Sequence, residues 1–436
     1  MVQLKRTSSH KRASMAIGPT LAFMVTLCFI VGVSNNLVNS LNSSMAAYLD
    51  MSDVSTTLMQ IIYYGSYAIA ALPAFFISRH IGYQGGLITG LVMFALGCVL
   101  SIPSTYVADL RPHLGFAIFL VGLLILSIGV AMLDANYNPY VTKLGPEEGE
   151  VKRINFTNGF TGLGSIIGPF LLSFLMVSSK GDAGTAEASS SAIEKAQYLG
   201  NIRLIYLGLA LFIGILVVIL CIVKLPPLPR DRSDAKPLPL RSALRELLRR
   251  PYFVFGSIAA FFALGLMFSA STLVGWAATE LDAGVNLSAL FVGMSAVVST
   301  VGRFGSVPLM AKRNPRRVFG VYMIIALVLF SLAALFSFVG WKLVGFIAFL
   351  ATFYFMAITY VTTFSLTLKN CNEDLAKAGS CFLLFLYIGG GLFTLLFTYL
   401  GTLIGFLNTL IFYVPFLLYM VWFAFKGSAI GLKQRV

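Results

Sequence analysis

The chain is a succession of apolar stretches separated by shorter polar segments. Each stretch has about 20 residues, the length at which a helix spans the hydrocarbon core of a bilayer. Twelve stretches follow one another, near residues 19–41, 57–77, 84–104, 114–140, 153–178, 201–224, 252–279, 286–311, 317–338, 343–368, 378–400 and 404–425. This pattern predicts an all-α membrane protein with twelve transmembrane helices.

A longer polar segment after the sixth stretch divides the predicted helices into two equal sets. Residues 225–250 are rich in proline and basic residues, and positions 242–250 have the pattern of a short amphipathic helix lying along the inner membrane surface. A second polar segment, 179–200, consists largely of small residues and is predicted to be an external loop. The predicted organisation is a basic N-terminal segment (1–18), a six-helix bundle (19–224), a cytoplasmic linker (225–250), a second six-helix bundle (251–425) and a tail (426–436).

The composition agrees with a membrane protein, and the charge predicts its orientation. Hydrophobic residues make up 58% of the chain and charged residues 11%, against about 25% charged residues in soluble domains. If the N-terminus is cytoplasmic, 25 of the 31 Lys and Arg residues fall in cytoplasmic segments, which is the asymmetry expected of membrane proteins. We therefore predict cytoplasmic termini, and we attribute the net charge of +14 to topology and attraction to anionic lipid rather than to nucleic-acid binding.

One carboxylate interrupts the apolar pattern of the fourth stretch. Of the 17 Asp and Glu residues, Asp134 alone lies well inside a predicted span. Burying a carboxylate there costs about 2.5–3.5 kcal/mol on insertion scales, so such an acid normally faces a cavity and has a function. Because burial disfavours the charged form, we predict that Asp134 carries a proton, binds substrate hydroxyls, or does both. The alternative is a structural acid that is hydrogen-bonded to neighbouring Asn or Tyr side chains.

Amide and hydroxyl side chains accompany this acid in several predicted spans. Amides both donate and accept hydrogen bonds, which suits a neutral polyhydroxylated ligand, although single polar residues in spans also serve as contacts between helices. The predicted substrate-binding residues, with Asp134, are Asn35, Asn36, Asn39, Gln60, Asn138, Asn158 and Tyr360.

Arg303 is a charged residue at the inner end of the eighth predicted span. We predict that it anchors an inner gate by pairing with carbonyl groups at a helix C-terminus or with a loop acid. The alternative is a charge that extends to the membrane interface while its stem stays in apolar surroundings.

The chain lacks the common sequence motifs of enzymes and metal sites. The chain has no H-E-x-x-H sequence, no Walker loop and no paired aspartates within the membrane, and its three histidines lie in loops or at span ends. We therefore predict no enzymatic activity, no cofactor and no metal site.

Short motifs spread over the chain carry a family resemblance. They include N35-N-L37, N138-P-Y-V-T142, R153-I-N155, G302-R-F304 and I388-G-G-G391. Together they resemble the major facilitator superfamily and, within it, the fucose/glucose/galactose permease family. The resemblance implies two six-helix bundles and transport by alternating access, with the acid of span four (here Asp134) binding sugar and taking part in proton coupling. It also implies that Asn36, Asn158 and Tyr360 line the sugar cavity.

The chain departs from that family at several functional positions. Asn39 stands where the family has a second acid, so coupling by two carboxylates is impossible here. Val31 and Ser271 replace aromatic residues, Val361 replaces a proline, and Asp134 is one methylene shorter than the family's glutamate.

These observations predict a secondary active transporter of the plasma (cell inner) membrane. We expect proton-linked uptake of a small neutral polyol, with a monosaccharide as the leading candidate. The expected partners are this substrate, protons and the lipid bilayer, and the expected state is a monomer. One alternative is a facilitator or exporter of another small or amphipathic molecule without proton coupling. Another is a non-transporting membrane sensor that signals through residues 225–250.

Overall fold

The computed structural model describes residues 18–37, 53–146, 149–178, 187–226, 238–281 and 285–431. Nearly all of them are helical, and no strand occurs in these ranges, so the predicted all-α class is confirmed. In chain order the helices are α1 (residues 18–37), α2 (Asp53–Leu110), α3 (Pro112–Lys143), α4 (Glu150–Ser178), α5 (Glu187–Ile222), α6 (Leu240–Leu248), α7 (Pro251–Thr279), α8 (Val285–Lys312), α9 (Pro315–Phe338), α10 (Lys342–Met356), α11 (Thr359–Thr367), α12 (Glu373–Phe385), α13 (Ile388–Ile404) and α14 (Val414–Phe425). Two 3₁₀ helices, Asn408–Tyr413 and Gly427–Ala429, flank α14.

Ten helical stretches of the described chain are long and apolar enough to cross a membrane. One of them, Ile61–Leu110, has 50 residues and holds most of the second predicted span and all of the third. The helix that contains it, α2, is interrupted at Gly82, where φ is 75° and ψ is 177°. A residue with a Cβ atom is strained at positive φ, whereas glycine is not. Gly82 therefore permits the bend between the two segments of α2.

Two predicted spans are broken near their middle. The tenth consists of α10 and α11, which are separated at Ala357 and Ile358, and the eleventh consists of α12 and α13, which are separated at Leu386 and Tyr387. Such breaks are tolerated at membrane depth where the freed backbone is buried in protein or lines a cavity. The break at Leu386 and Tyr387 lies two residues before the glycine run 389–391. The break at Ala357 and Ile358 contains neither glycine nor proline.

The helix α5 begins earlier than the sequence pattern predicts. It starts at Glu187, so the predicted loop 179–200 is wrong for residues 187–200. The segment is polar, but its Ala, Glu, Lys and Gln residues are good helix formers. The polar residues lie outside the apolar stretch 201–224, but they belong to the same helix, which extends to them on the N-terminal side.

The linker helix α6 confirms the amphipathic segment, two residues earlier than predicted. Its buried residues are Ala243 and Leu247, and it packs against α12. The backbone N–H of Leu238 donates to Asp374 Oδ2 at 3.2 Å, and this bond also ties the linker to α12. Protein therefore covers the apolar face of this helix.

The described residues form two compact units. The larger unit contains the described residues up to Ile30, those of Tyr137–Leu163 and those from Lys224 onward, and the smaller unit contains Val31–Asn136 and Gly164–Val223. Within the smaller unit α2 packs along α5, and within the larger unit α7 packs with α13 and α9 packs with α10 and α14. The division into two six-helix bundles stays a prediction.

Candidate functional site

The acid of α3 is buried in the smaller unit and has a hydrogen-bond partner from α2. Asp134 is 7% exposed, and the hydroxyl of Tyr67 donates to its Oδ2 at 3.1 Å. A carboxyl group keeps an acceptor oxygen whether or not it is protonated. Tyr67 can therefore keep its partner when Asp134 gains or loses a proton.

A second tyrosine of α2 extends this polar cluster to α1. Tyr63 lies one helical turn before Tyr67, with 6.0 Å between the ring centroids, and its hydroxyl donates to Asn35 Oδ1. The structure thus brings Asn35 and Asp134 to two neighbouring tyrosines of one helix face. Because Tyr63 occupies the amide oxygen, the NH₂ group of Asn35 is the part of this side chain that suits a further acceptor.

Asn36 makes a different contact from its neighbour Asn35. Its Nδ2 donates to the carbonyl oxygen of Ser165 in α4 at 2.8 Å, and Ser165 Oγ donates to Gly32 O at 3.3 Å. Bonds of this type hold transmembrane helices together. The structure therefore gives Asn36 a role in joining α1 and α4.

In the larger unit, three of the predicted residues lie in one hydrogen-bonded group. Asn158 Nδ2 donates to Asn138 Oδ1 at 3.1 Å, which joins α4 to α3. Arg303 Nη1 donates to the backbone oxygen of Asn158 at 2.8 Å, which joins α8 to α4. Arg303 thus pairs with a carbonyl inside a helix, whereas the predicted partner was a carbonyl at a helix C-terminus or a loop acid.

Several buried polar atoms of the larger unit have no hydrogen-bond partner among the described residues. They include Asn155 Oδ1, Thr161 Oγ1, Arg303 Nε and Thr363 Oγ1. An unsatisfied buried polar atom costs about 1–3 kcal/mol, so water or a polar ligand beside these atoms would be favoured. The unit therefore has unused hydrogen-bonding capacity on α4, α8 and α11.

Tyr360 lies in an aromatic cluster of the larger unit. Its ring meets that of Tyr387 edge-on, with 5.4 Å between centroids, and Tyr387 also lies beside Phe268, at 6.0 Å. Tyr387 is the residue at the break between α12 and α13. The cluster thus places three aromatic rings beside this break.

The structure also brings residues from outside the predicted set to these groups. Tyr63, Tyr67 and Tyr387 were absent from the predicted site, although the spacing of Tyr63 and Tyr67 already placed them on one face of the second span. Two predicted residues cannot be compared, because Asn39 and the side chain of Gln60 lie outside the described residues. Among the residues searched, those with a described placement, no group of three or more His, Cys, Asp or Glu side chains could hold a metal ion.

Comparison of sequences relates the chain to proteins of known name. A family model described as Major Facilitator Superfamily matches residues 24–394. The L-fucose-proton symporter of Escherichia coli (strain K12) is 28% identical over 403 residues, which cover 89% of this chain and 90% of that protein. The glucose/galactose transporter of Brucella abortus (strain 2308) is 29% identical over 438 residues, which cover 98% of this chain and 97% of that protein.

Solved structures show the same relationship. The crystal structure of the transporter FucP in the outward conformation superposes with a TM-score of 0.80 at 25% sequence identity, and the match covers 94% of this chain and 98% of that one. The proton:xylose symporter XylE superposes with a TM-score of 0.70 at 16% identity, covering 94% of this chain and 95% of that one. At that identity the likeness to XylE shows the fold alone.

The resemblance inferred from short motifs is thus confirmed over most of the chain. The match to the family model covers residues 24–394, and ten apolar helices are available to cross the bilayer. The protein is accordingly a multi-pass transporter of the plasma (cell inner) membrane and not an enzyme. The chain belongs to the Major Facilitator Superfamily.

Proposed function

We propose that this protein couples the entry of a small neutral polyol, most specifically a monosaccharide, to the entry of protons. The observation that carries the proposal is Asp134, which is buried in a predicted span and hydrogen-bonded to Tyr67. The names of its relatives, an L-fucose-proton symporter and a glucose/galactose transporter, support sugar as the substrate class.

The proposed topology has twelve spans in two six-helix bundles with both termini in the cytoplasm. The 58 residues of α2 are enough to cross twice, because a helix rises about 1.5 Å per residue and the hydrocarbon core is about 30 Å thick. The bend at Gly82 would then be the turn between the second and third spans. The 29 residues of α4 supply the fifth, and α10 with α11 and α12 with α13 each supply one.

Substrate binding in this proposal uses complementary chemical surfaces. A monosaccharide offers hydroxyl groups that donate and accept hydrogen bonds, and its ring also has apolar C–H faces that suit aromatic side chains. Asn138, Asn158 and the unpaired atoms of α4 and α11 supply the polar contacts, and Tyr360 with Tyr387 supplies the aromatic ones. Asn35, Asn36, Asn39 and Gln60 complete the proposed set.

Proton coupling in this proposal depends on Asp134 as the one titrating group. Protonation would remove its charge and give it a donor, so the neutral acid is the form suited to a buried position beside bound substrate. Ionisation would restore a charge that favours exposure to water. Because Asn39 does not titrate, one proton would move with each substrate molecule.

Arg303 is proposed to take part in gating. Its bond to the Asn158 carbonyl joins α8 to α4 within the larger unit. Alternating access requires helices of the two halves to separate on one side of the membrane, so this bond would break as the gate opens.

The test is uptake of L-fucose, D-galactose and D-glucose by proteoliposomes under an imposed pH gradient. In Asp134→Asn, which keeps the shape but cannot titrate, we expect gradient-driven accumulation to fall by about tenfold or more, a loss of at least 1.4 kcal/mol. Exchange of sugar across the membrane at equal pH should persist. The control is Asp109→Asn, since Asp109 is an exposed acid near the end of α2.

Accumulation that survives in Asp134→Asn would refute the coupling role. A second candidate is a facilitator, which is favoured by the amide at position 39 in place of an acid. For a facilitator, uptake by the unaltered protein would equilibrate sugar and ignore the pH gradient. Absence of flux for every tested sugar would instead refute sugar as the substrate class.

A further inference from the structure

A cavity of about 320 Å³ lies in the larger unit, among the beginning of α4, the beginning of α9 and the end of α11. Its lining includes Glu150, Asn314, Arg316, Ser365 and Lys369. The volume is within the range of sites for small molecules, about 300–1,000 Å³. None of these residues belongs to the proposed substrate-binding set.

One part of the lining favours an anion. Arg316 is held in place because its Nη2 donates to the Ser428 carbonyl at 2.8 Å. The ammonium group of Lys369 has no hydrogen-bond partner in the part of the chain that the structure describes. Asn314 caps α9 by accepting from the backbone N–H of Arg316 at 3.0 Å, and the start of a helix carries a partial positive charge.

The rest of the lining favours hydroxyl groups. Ser365 Oγ donates to Glu150 Oε1 at 3.1 Å, and a carboxylate has further lone pairs for other donors. The exposed side chain of Asn314 has an NH₂ group that can donate. A ligand that is an anion throughout would be repelled by Glu150, whereas an anion with hydroxyl groups would match both parts of the lining.

We infer that this cavity binds a phosphate group that carries a polyhydroxylated substituent. The phosphate would lie between Arg316 and Lys369, and hydroxyl groups would lie at Glu150, Asn314 and Ser365. A soluble sugar phosphate has this chemistry, and so does the headgroup of phosphatidylglycerol. In the proposed topology the cavity opens to the cytoplasm, so this reading rests on the proposed function.

Binding would have a consequence for the transport cycle. The lining comes from α4 in the first predicted bundle and from α9 and α11 in the second. A ligand that contacts all three helices would stabilise the arrangement in which Glu150 meets Ser365. Inside a cell, a sugar phosphate is formed when a kinase consumes imported sugar, so its binding would slow further uptake.

The experiment measures binding of D-glucose 6-phosphate to the purified full-length protein by calorimetry, with D-glucose and inorganic phosphate as comparison probes. We expect glucose 6-phosphate to bind most tightly, and Lys369→Gln to weaken its binding by about tenfold, which corresponds to 1.4 kcal/mol. Lys369→Arg should retain most of the affinity. The control is Lys312→Gln, an exposed lysine at the end of α8 that is absent from the lining.

A second arm identifies the source of the phosphate. The protein is placed in bilayers of phosphatidylcholine with and without phosphatidylglycerol, and its melting temperature is measured for the unaltered chain and Lys369→Gln. Stabilisation by phosphatidylglycerol that is lost in Lys369→Gln would support the site with a lipid headgroup as its ligand. If neither glucose 6-phosphate nor phosphatidylglycerol has an effect that depends on Lys369, the inference is overturned. Neither binding measurement requires transport, so failure of the Asp134 test would leave this result unaffected.

Discussion

The hydrogen bond between Tyr67 and Asp134 stabilises a buried acid. A lone buried carboxylate is costly because it has lost its water, and a hydroxyl donor offsets part of that cost. The Tyr67 hydroxyl donates to Asp134 Oδ2 at 3.1 Å, so this bond stabilises the buried acid. The same hydroxyl can donate to the protonated acid, whose carbonyl oxygen is still an acceptor.

Cys371 is the residue for which the structure predicts an altered reactivity. It lies between α11 and α12, where Lys143 Nζ donates to its carbonyl oxygen at 2.8 Å. Burial raises the pKa of the Cys371 thiol, and the positive charges of Arg250 and Lys143 lower it only in part. The reactive form of a thiol is the thiolate, and a raised pKa reduces the thiolate fraction at neutral pH.

We therefore expect slow alkylation of Cys371 at pH 7 in a variant in which the other four cysteines, Cys28, Cys98, Cys221 and Cys381, are replaced by alanine. The rate with N-ethylmaleimide, followed by mass spectrometry, should keep rising beyond about pH 8.5, where an ordinary thiol is half ionised. The same variant unfolded in detergent is the control. A folded protein whose rate levels off together with that of the unfolded control would contradict the raised pKa.

At the scale of helices, α2 and α3 approach each other at glycines. A Cβ atom on Gly129 would lie 2.6 Å from the carbonyl oxygen of Gly90 and would also overlap the backbone of Phe94. Backbone atoms in a helix cannot move aside as a side chain can. Small residues at such crossings allow close packing, which is a main source of attraction between helices in a membrane.

Gly129→Ala should therefore separate the two helices and destabilise the protein by about 1–3 kcal/mol, the usual cost of overpacking. The matched control is Gly208→Ala in α5, where an added Cβ meets nothing within 4 Å. That change should be neutral or stabilising by up to about 1 kcal/mol, because alanine favours helix. Thermal unfolding in detergent compares the two variants, and equal melting temperatures would contradict the close approach at Gly129.

At the scale of the whole molecule, the basic residues predict the orientation in the membrane. The segments predicted to be cytoplasmic hold 25 of the 31 Lys and Arg residues, and such an excess retains loops on the cytoplasmic side during insertion. Five others, Arg111, Lys180, Lys195, Arg203 and Lys342, fall on the predicted external side. Arg203 is held there by α2, with its guanidinium 3.7 Å from the centroid of the Tyr106 ring and its Nε bonded to Thr105 Oγ1.

Reporter fusions test this orientation. Green fluorescent protein fused after Val436 should fluoresce, because it folds in the cytoplasm, and alkaline phosphatase at that position should be inactive. Alkaline phosphatase fused after Ala183, in the segment predicted to be external, should be active. Exchange of the two reporters at each site is the control, and the opposite activities would show that the predicted orientation is inverted.

Sequence alone determined the all-α class and the apolar stretches, and it singled out Asp134 as a buried acid. These properties are one-dimensional: a span is a length of apolar residues, and an isolated acid in such a span is costly wherever its helix packs. The amphipathic helix α6 was also predictable, because the spacing of its apolar residues is a property of neighbouring positions in the sequence. The bend at Gly82 falls in the gap between the second and third predicted stretches, 57–77 and 84–104.

Only the tertiary structure decided which polar groups meet. Tyr67 became the partner of Asp134, and Asn158 became the link between Asn138 and Arg303, because of the register in which separate helices pack. Asn35 and Asn36 are neighbours in sequence, yet one bonds to a tyrosine of α2 and the other joins α1 to α4. The break at Ala357 and Ile358 has no local signal either, since the surrounding helices determine where freed backbone groups can be accommodated.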